Sequence, residues 1–226
     1  MTMLIERLLV ATARRYEAEA VVRAGSVHTI ADMGGVEALR TFLGPIEVTC
    51  LISDVGPVHS AMAAARALQE KRGFDGVVSA GIGGAFLDTE LNVGDLVVAT
   101  EVHHGDFGVE RDDGFVPASE LDWPFGSHTC HDGLSARLAK PGARRGDILT
   151  VTRQSASNAR TADLRRTWPD VVAEAMEGIG VAAAAATRGL PMAEVRAISN
   201  MVGPRDQHPW DKPAALDRLA EAFADL

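Results

Sequence analysis

Residues 175–200 read Ala-Met-Glu-Gly-Ile-Gly-Val-Ala-Ala-Ala-Ala-Ala-Thr-Arg-Gly-Leu-Pro-Met-Ala-Glu-Val-Arg-Ala-Ile-Ser-Asn. The first half predicts a helix over 176–188. Its alanine run, Ala182 to Ala186, carries side chains small enough to let a helix lie close to a sheet, and Gly189 followed by Pro191 stops it. The second half predicts a strand over 193–199, one of a set whose Val/Ile/Leu runs suit a sheet buried on both faces. A helix delivered onto a doubly covered strand is the repeating unit of an α/β fold.

The same alternation runs outward through the chain. Strands are expected at Arg7–Thr12, 46–53, 74–79, 94–100 and 146–152, making about six with 193–199. Helical spacing places Ala61, Met62, Ala65 and Leu68 together within 59–71, and Leu216, Leu219, Phe223 and Leu226 together within 213–226. These elements predict a single domain over 1–226, a central mixed, mostly parallel sheet flanked by helices. Residues 103–143 break the pattern, being rich in Asp, Gly, His and Pro, and read as a long loop excursion of the kind that often serves function.

Composition narrows the function. Hydrophobic residues make up 46% and charged residues 23%, enough apolar surface to order the chain. No eighteen-residue apolar run occurs, so no membrane-spanning helix is expected, and the acid at Glu6 comes too early for a secretory leader. The net charge of −9 with scattered basic residues argues against a nucleic-acid partner, which needs a concentrated positive face. The two cysteines, Cys50 and Cys130, fit a reducing, cytoplasmic compartment. A small-molecule substrate suits this balance best.

Four constellations stand out. Ala80-Gly81-Ile82-Gly83-Gly84-Ala85 reads as a Gly-rich turn after a strand. Its glycines permit close backbone approach to a ligand, but their spacing is not that of a dinucleotide fingerprint. Glu17 and Glu19 follow the first strand, where an acid in the first turn of a helix is ordinary capping. Glu177 opens another helix among Met176, Ile179 and Val181, and a carboxylate in apolar surroundings needs a partner or a hydroxyl-bearing ligand. Ser199-Asn200 ends an apolar strand, the position where open α/β sheets bind ligands. His103, His104 and Asp106, and separately His128 and His131, offer no complete metal-ligand set, so neither metal nor cofactor is expected.

Taken together, Gly81-Ile82-Gly83-Gly84, Val93-Gly94-Asp95-Leu96-Val97-Val98, Ala175-Met176-Glu177-Gly178 and Arg196-Ala197-Ile198-Ser199-Asn200 resemble, in order and spacing, the purine nucleoside phosphorylase/nucleosidase superfamily. Within it the pattern looks like the futalosine hydrolases, themselves similar to methylthioadenosine/S-adenosylhomocysteine nucleosidases. The resemblance implies an N-ribosyl hydrolase that releases hypoxanthine from futalosine on the route to menaquinone. It implies that Glu17 activates the attacking water, that Met176 packs on the ribose and that Glu177 accepts its hydroxyls. Asn200 falls where adenine-specific members carry Asp, with Ser199 orienting it. Ile82, Gly83, Gly84 and Val55 would line the sugar–base pocket, and Gln154 lies in the segment that flanks the base. Relatives are homo-oligomers, so a dimer or tetramer is implied, and Phe107, Phe115, Trp123 and Phe125 fit either an interface or packing on their own domain.

The chemistry agrees with these roles. Breaking an N-ribosidic bond puts positive charge on the sugar and negative charge on the departing purine, so water needs a base on one face and the purine a hydrogen-bonding group on the other. An amide at position 200 donates N–H to O6 of a 6-oxopurine and accepts from a protonated N7. A mismatched buried pair costs about 1–3 kcal/mol, so this residue points to a 6-oxopurine leaving group. Arg14 and Arg15 keep a phosphorylase acting on inosine or guanosine as the alternative, although Glu17 repels phosphate. A non-catalytic nucleoside-binding module is the third reading. Arg205, His208 and Arg153 are the candidates for a substrate carboxylate, with Asp206 and Trp210 shaping the pocket or simply joining the last helix.

Overall fold

The computed structural model describes residues 4–25, 29–224 and 226. Its strands are β1 Arg7–Thr12, β2 Thr29–Asp32, β3 Glu37–Leu43, β4 Ile46–Ile52, β5 Gly76–Ala85, β6 Leu96–His104, β7 Gly108–Arg111, β8 Gly114–Pro117, β9 Ser127–Thr129, β10 Arg144–Thr150, β11 Ala173–Ala175 and β12 Met192–Met201. Its helices are α1 Arg15–Val22, α2 Pro57–Ala67, α3 Asp132–Leu138, α4 Asn158–Thr167, α5 Gly178–Ala186 and α6 Lys212–Phe223.

The fold is α/β with a mixed sheet, parallel at its centre in the order β4-β1-β5-β12. From β12 the sheet continues antiparallel to β6, then parallel to β10 and β11. β11 returns antiparallel to β5, so β5, β12, β6, β10 and β11 close into a ring. β3 and β2 extend the other edge antiparallel. Every residue of β1 is buried, as are nine of ten in β12, because helices cover both faces. One core packs α2 and α5 against the sheet, through Ala64, Ala67, Val181 and Ala185. The other packs α1, α3 and α6 through Val21, Leu134, Leu219 and Phe223. Gly180 brings α5 against the start of α2, since a Cβ there would overlap Pro57 O.

Several expectations are corrected. The Gly-rich segment 80–85 is the second half of β5, not a turn. β12 pairs it from Val195 to Met201 and β11 pairs its last two residues, while the Ile82 N–H goes to a side chain, Glu17. The strands number twelve among the described residues, not about six. β2 and β3 escaped notice because they form the sheet edge, where Ile30 and Phe42 stay exposed and Thr41 is buried, so no regular apolar pattern marks them. Residues 103–143 are not one loop. They hold the end of β6, the β7–β8 hairpin, β9 and α3. The strand expected at 94–100 begins two residues later and runs on to His104, after a turn in which Gly94 has φ +90°. The helix expected at 176–188 starts at Gly178, and the one expected at 213–226 ends at Phe223, with Asp225 outside the described residues. No described helix is long and apolar enough to cross a membrane.

Candidate active site

At the carboxyl ends of the parallel strands lies a cavity of about 530 Å³, the place where such sheets leave a crevice. Glu17, Val55, Ile82, Gly83, Gly84, Gln154, Met176, Glu177, Ser199 and Asn200 all line it. These ten residues therefore meet in one space, although they come from six separate stretches of chain.

Glu17 reaches the cavity from the first turn of α1. Its Oε2 accepts the Arg14 backbone N–H at 2.8 Å and its Oε1 accepts the Ile82 N–H at 3.0 Å. The capping reading and the cavity reading are thus both satisfied by one side chain. Glu17 is only 3% exposed. Burial pushes its carboxyl above the usual carboxylate range, and Glu177 adds to this. The Ile82 and Arg14 N–H groups and the Arg196 guanidinium pull the other way. Gly81 has no room for a side chain, since a Cβ there would sit 2.6 Å from Arg196 Nη1 and 2.7 Å from Glu17 Oε1.

Glu177 stands at the N-cap of α5 but does not cap it. Its Oε1 accepts the Gly56 N–H at 3.2 Å, and its Oε2 lies 3.1 Å from Arg196 Nη1. Arg196, on β12, is 1% exposed and also binds Glu194 Oε1 at 2.7 Å and Ser79 Oγ at 2.7 Å. One guanidinium therefore serves an acidic group of Glu17, Glu177 and Glu194. Burial raises the Glu194 carboxyl as well, which relieves the excess of negative charge. Sequence reading missed Arg196 as a site element; its signal was a lone cation inside an apolar strand, which requires a buried anion.

Asn200 is aimed by an irregularity in β12. The register slips between Ile198, opposite Gly83, and Asn200, opposite Gly84, leaving Ser199 as the extra residue. Ser199 Oγ lies 3.2 Å from Gly83 O and 2.8 Å from Asn200 Oδ1, while Asn200 Nδ2 donates to Met201 O at 2.9 Å. Fixing the amide this way leaves its second N–H and an oxygen lone pair for a ligand.

The cavity has residues the sequence did not announce. Glu174 on β11 lines it and is buried, with Oε1 accepting the Ser155 N–H at 3.0 Å and Oε2 without a partner. At the mouth, Arg205 Nη2 donates to Gln154 Oε1. The Arg205 guanidinium stands 5.1 Å from the Trp210 ring centroid, and Lys212 Nζ lies 5.3 Å from Trp210 and 5.6 Å from Tyr16. The stretch 203–213 is thus more than a connection to α6. Of the other carboxylate candidates, Arg153 lines a separate hollow with Arg160 and Asp163, and His208 packs on Gly203.

Three members of the histidine clusters make hydrogen bonds within the protein. Asp106 accepts from the Thr152 N–H and hydroxyl, and His131 Nδ1 accepts the Leu134 N–H to cap α3. His103 Nε2 lies 3.2 Å from Asp147 Oδ2. Glu101, His103 and Asp147 bring one ligand atom each within 4.8 Å.

Comparison with known proteins matches this architecture. The family model described as the phosphorylase superfamily covers residues 7–226. A relative from Streptomyces coelicolor named futalosine hydrolase is 42% identical over 225 residues, 97% of this chain and 94% of the relative. The crystal structure of the 5'-methylthioadenosine/S-adenosylhomocysteine nucleosidase from Neisseria meningitidis superposes with a TM-score of 0.82 at 22% identity, over 97% of both chains. A futalosine hydrolase mutant of Helicobacter pylori superposes with a TM-score of 0.79 at 20% identity, over 97% of both chains. At that identity these two structures speak for the fold. The fold, the full-length family match and the 42% identity place the chain in the phosphorylase superfamily and, within it, in the futalosine hydrolase family.

Proposed function

We propose that residues 1–226 form one nucleosidase domain that hydrolyses the N-ribosidic bond of futalosine and releases hypoxanthine. The observation that carries this reading is the convergence of a buried acid, Glu17, a guanidinium-held acid, Glu177, and a hydroxyl-fixed amide, Asn200, on one cavity. Glu17 takes the proton from water as it attacks the anomeric carbon. A carboxyl displaced upward is a better base near neutral pH than an ordinary one. Glu177 accepts the ribose hydroxyls, and its charge favours the cationic sugar. Asn200 donates to O6 and accepts from N7–H as the base leaves. Met176 packs on the ribose, Ile82, Gly83, Gly84 and Val55 line the sugar–base space, and Gln154 holds Arg205 at its edge.

Futalosine carries a carboxylate on its aryl substituent, and Arg205 with Lys212 beside Trp210 provides the cationic, aromatic mouth to receive it. Among the described residues no comparable cluster for a phosphate faces Glu17. Arg14 lines the cavity but its guanidinium is paired with Asp54 at 3.1 Å. The test is incubation with futalosine in phosphate-free buffer while following hypoxanthine. Release without phosphate supports hydrolysis; turnover only on adding phosphate indicates a phosphorylase, and binding with no cleavage indicates a binding module.

The homo-oligomer is part of the same proposal. Phe107, Trp123 and Phe125 are 37–45% exposed, and the Phe107 and Trp123 rings meet tilted at 49° with centroids 5.4 Å apart, exposed apolar surface of the kind that subunits cover. Light scattering is expected to give a dimer or tetramer, and Trp123→Asp to shift it toward monomer. A monomer for the unaltered chain contradicts this.

A further inference from the structure

Glu194 does not line the cavity, yet it is 0% exposed, and a carboxyl buried so completely is expensive to keep. Its Oε1 accepts the Arg196 Nε–H at 2.7 Å, and its Oε2 has no hydrogen-bond partner among the described residues. Space is reserved for it. A Cβ at Gly178, the first residue of α5, would fall 1.9 Å from Glu194 Oε2.

What this acid does follows from where it holds the guanidinium. Glu194 and Arg196 stand two residues apart on one face of β12, opposite Ser79 and Gly81 of β5. The planar group is fixed on three sides: Nε–H donates to Glu194, Nη2 donates to Ser79 Oγ at 2.7 Å, and Nη1 lies 3.1 Å from Glu177 Oε2. A Cβ at Gly81 would sit 2.6 Å from Nη1 and 2.7 Å from Glu17 Oε1, so the guanidinium also stands next to Glu17. Among the described residues Glu17 nevertheless forms no ion pair, and its oxygens accept the Arg14 and Ile82 backbone N–H groups. A guanidinium free to turn would close that gap, since attraction between buried charges is strong. A base locked in such a pair has lost much of its affinity for a proton.

We infer that Glu194 is a positioning residue: by accepting the Arg196 Nε–H it holds the guanidinium on Glu177 and off Glu17, which leaves Glu17 free to take a proton from water. This rests on the reading of Glu17 as the base of the proposed hydrolysis. Arg14 and Tyr16 accompany Glu17 on its own segment, and Cys50 of β4, Glu177 and Arg196 face it from elsewhere. Glu194 faces Arg196, Glu177 and, ahead of α3, Cys130. Both cysteines are neutral thiols, because burial pushes Cys130 up to about 12 and Cys50 higher still. Arg14 is paired with Asp54, so Arg196 is the cation whose placement decides how readily Glu17 is protonated.

The experiment is a ¹³C NMR titration of the full chain labelled at its glutamate carboxyl carbons, with the Glu17 signal identified as the one absent from Glu17→Gln. In Glu194→Met, a side chain of the same length with no oxygen for Nε, the Glu17 midpoint is expected to fall by about one pH unit or more, about tenfold in proton affinity. In Glu194→Gln, whose amide oxygen still accepts the Nε–H, it is expected to fall by less than half as much. A midpoint unmoved in Glu194→Met overturns the inference. An equal fall in both variants also overturns it, since the charge of Glu194 alone would then matter. If Glu194→Met does not melt cooperatively, Glu194→Val combined with Gly178→Ala takes its place and is read in the same way, the new methyl group filling the space of the lost carboxyl end. The titration needs no substrate, so failure to cleave futalosine strikes the proposed reaction and leaves this measurement intact.

Discussion

At the residue scale, the site is organised around one buried cation. Arg196 touches Glu177 and Glu194 directly and shares the edge of Gly81 with Glu17. Three carboxylates around one guanidinium cannot all ionise at the cost of ordinary surface acids. The upward displacement of Glu17 has a kinetic consequence. A base works only when deprotonated, so kcat/KM is expected to rise with pH through an acid limb centred above the usual carboxylate range. Glu17→Gln should lower kcat by about 10²–10⁴-fold and remove that limb. A variant that keeps the limb assigns it to another group. Asn200→Asp replaces the amide donor by an acceptor, and the loss of one matched pair, about 1–3 kcal/mol, should cut inosine-type turnover by roughly ten- to a hundredfold relative to adenosine-type. Unchanged discrimination in a paired assay contradicts the assigned role of the amide.

At the element scale, two close approaches hold the site in shape. Gly180 lets α5 abut the start of α2, and Ser60 Oγ from α2 donates to Glu177 O at 3.0 Å. Gly180→Ala forces these helices apart. It should destabilise the protein by about 1–3 kcal/mol, read as a lower denaturant midpoint, and should disturb Glu177 at the same time. An unchanged midpoint contradicts the packing. The elements also show what the chain made legible. Arg7–Thr12 coincides with β1 because its apolar run, Leu8 to Ala11, has no other use than burial on both faces, and the strand at 193–199 lies within β12. Glu177 and Asn200 were legible because each interrupts such a run. Gly81–Gly84 misled because glycine signals a turn and equally a strand against which other groups press closely; only the pairing partners on both sides distinguish the two. Glu174 stayed hidden because its burial depends on β11 closing the ring onto β5, a contact between residues about ninety positions apart that no local pattern encodes.

At the scale of the whole molecule, charge is distributed against its average. The chain carries −9 overall, yet the cavity mouth presents Arg205 and Lys212. An anionic substrate approaches an acidic protein best through such a local reversal. Arg205→Ala should raise KM for futalosine about tenfold, about 1.4 kcal/mol, and change KM for inosine little. Equal effects on both substrates contradict a role in holding the carboxylate. The proposed roles divide the tasks within that cavity: Arg205 and Lys212 for the substituent, Met176 and Glu177 for the sugar, and Asn200 for the base.

The central claim is that Glu17 delivers water to the anomeric carbon, and oxygen labelling tests it most directly. Futalosine is turned over in ¹⁸O-water, with and without phosphate, and the sugar product is weighed by mass spectrometry. The expected result is one ¹⁸O at the anomeric position at equal rates in both buffers, with the signal suppressed in Glu17→Gln. A sugar phosphate as product, or unchanged labelling rate in Glu17→Gln, would contradict the account.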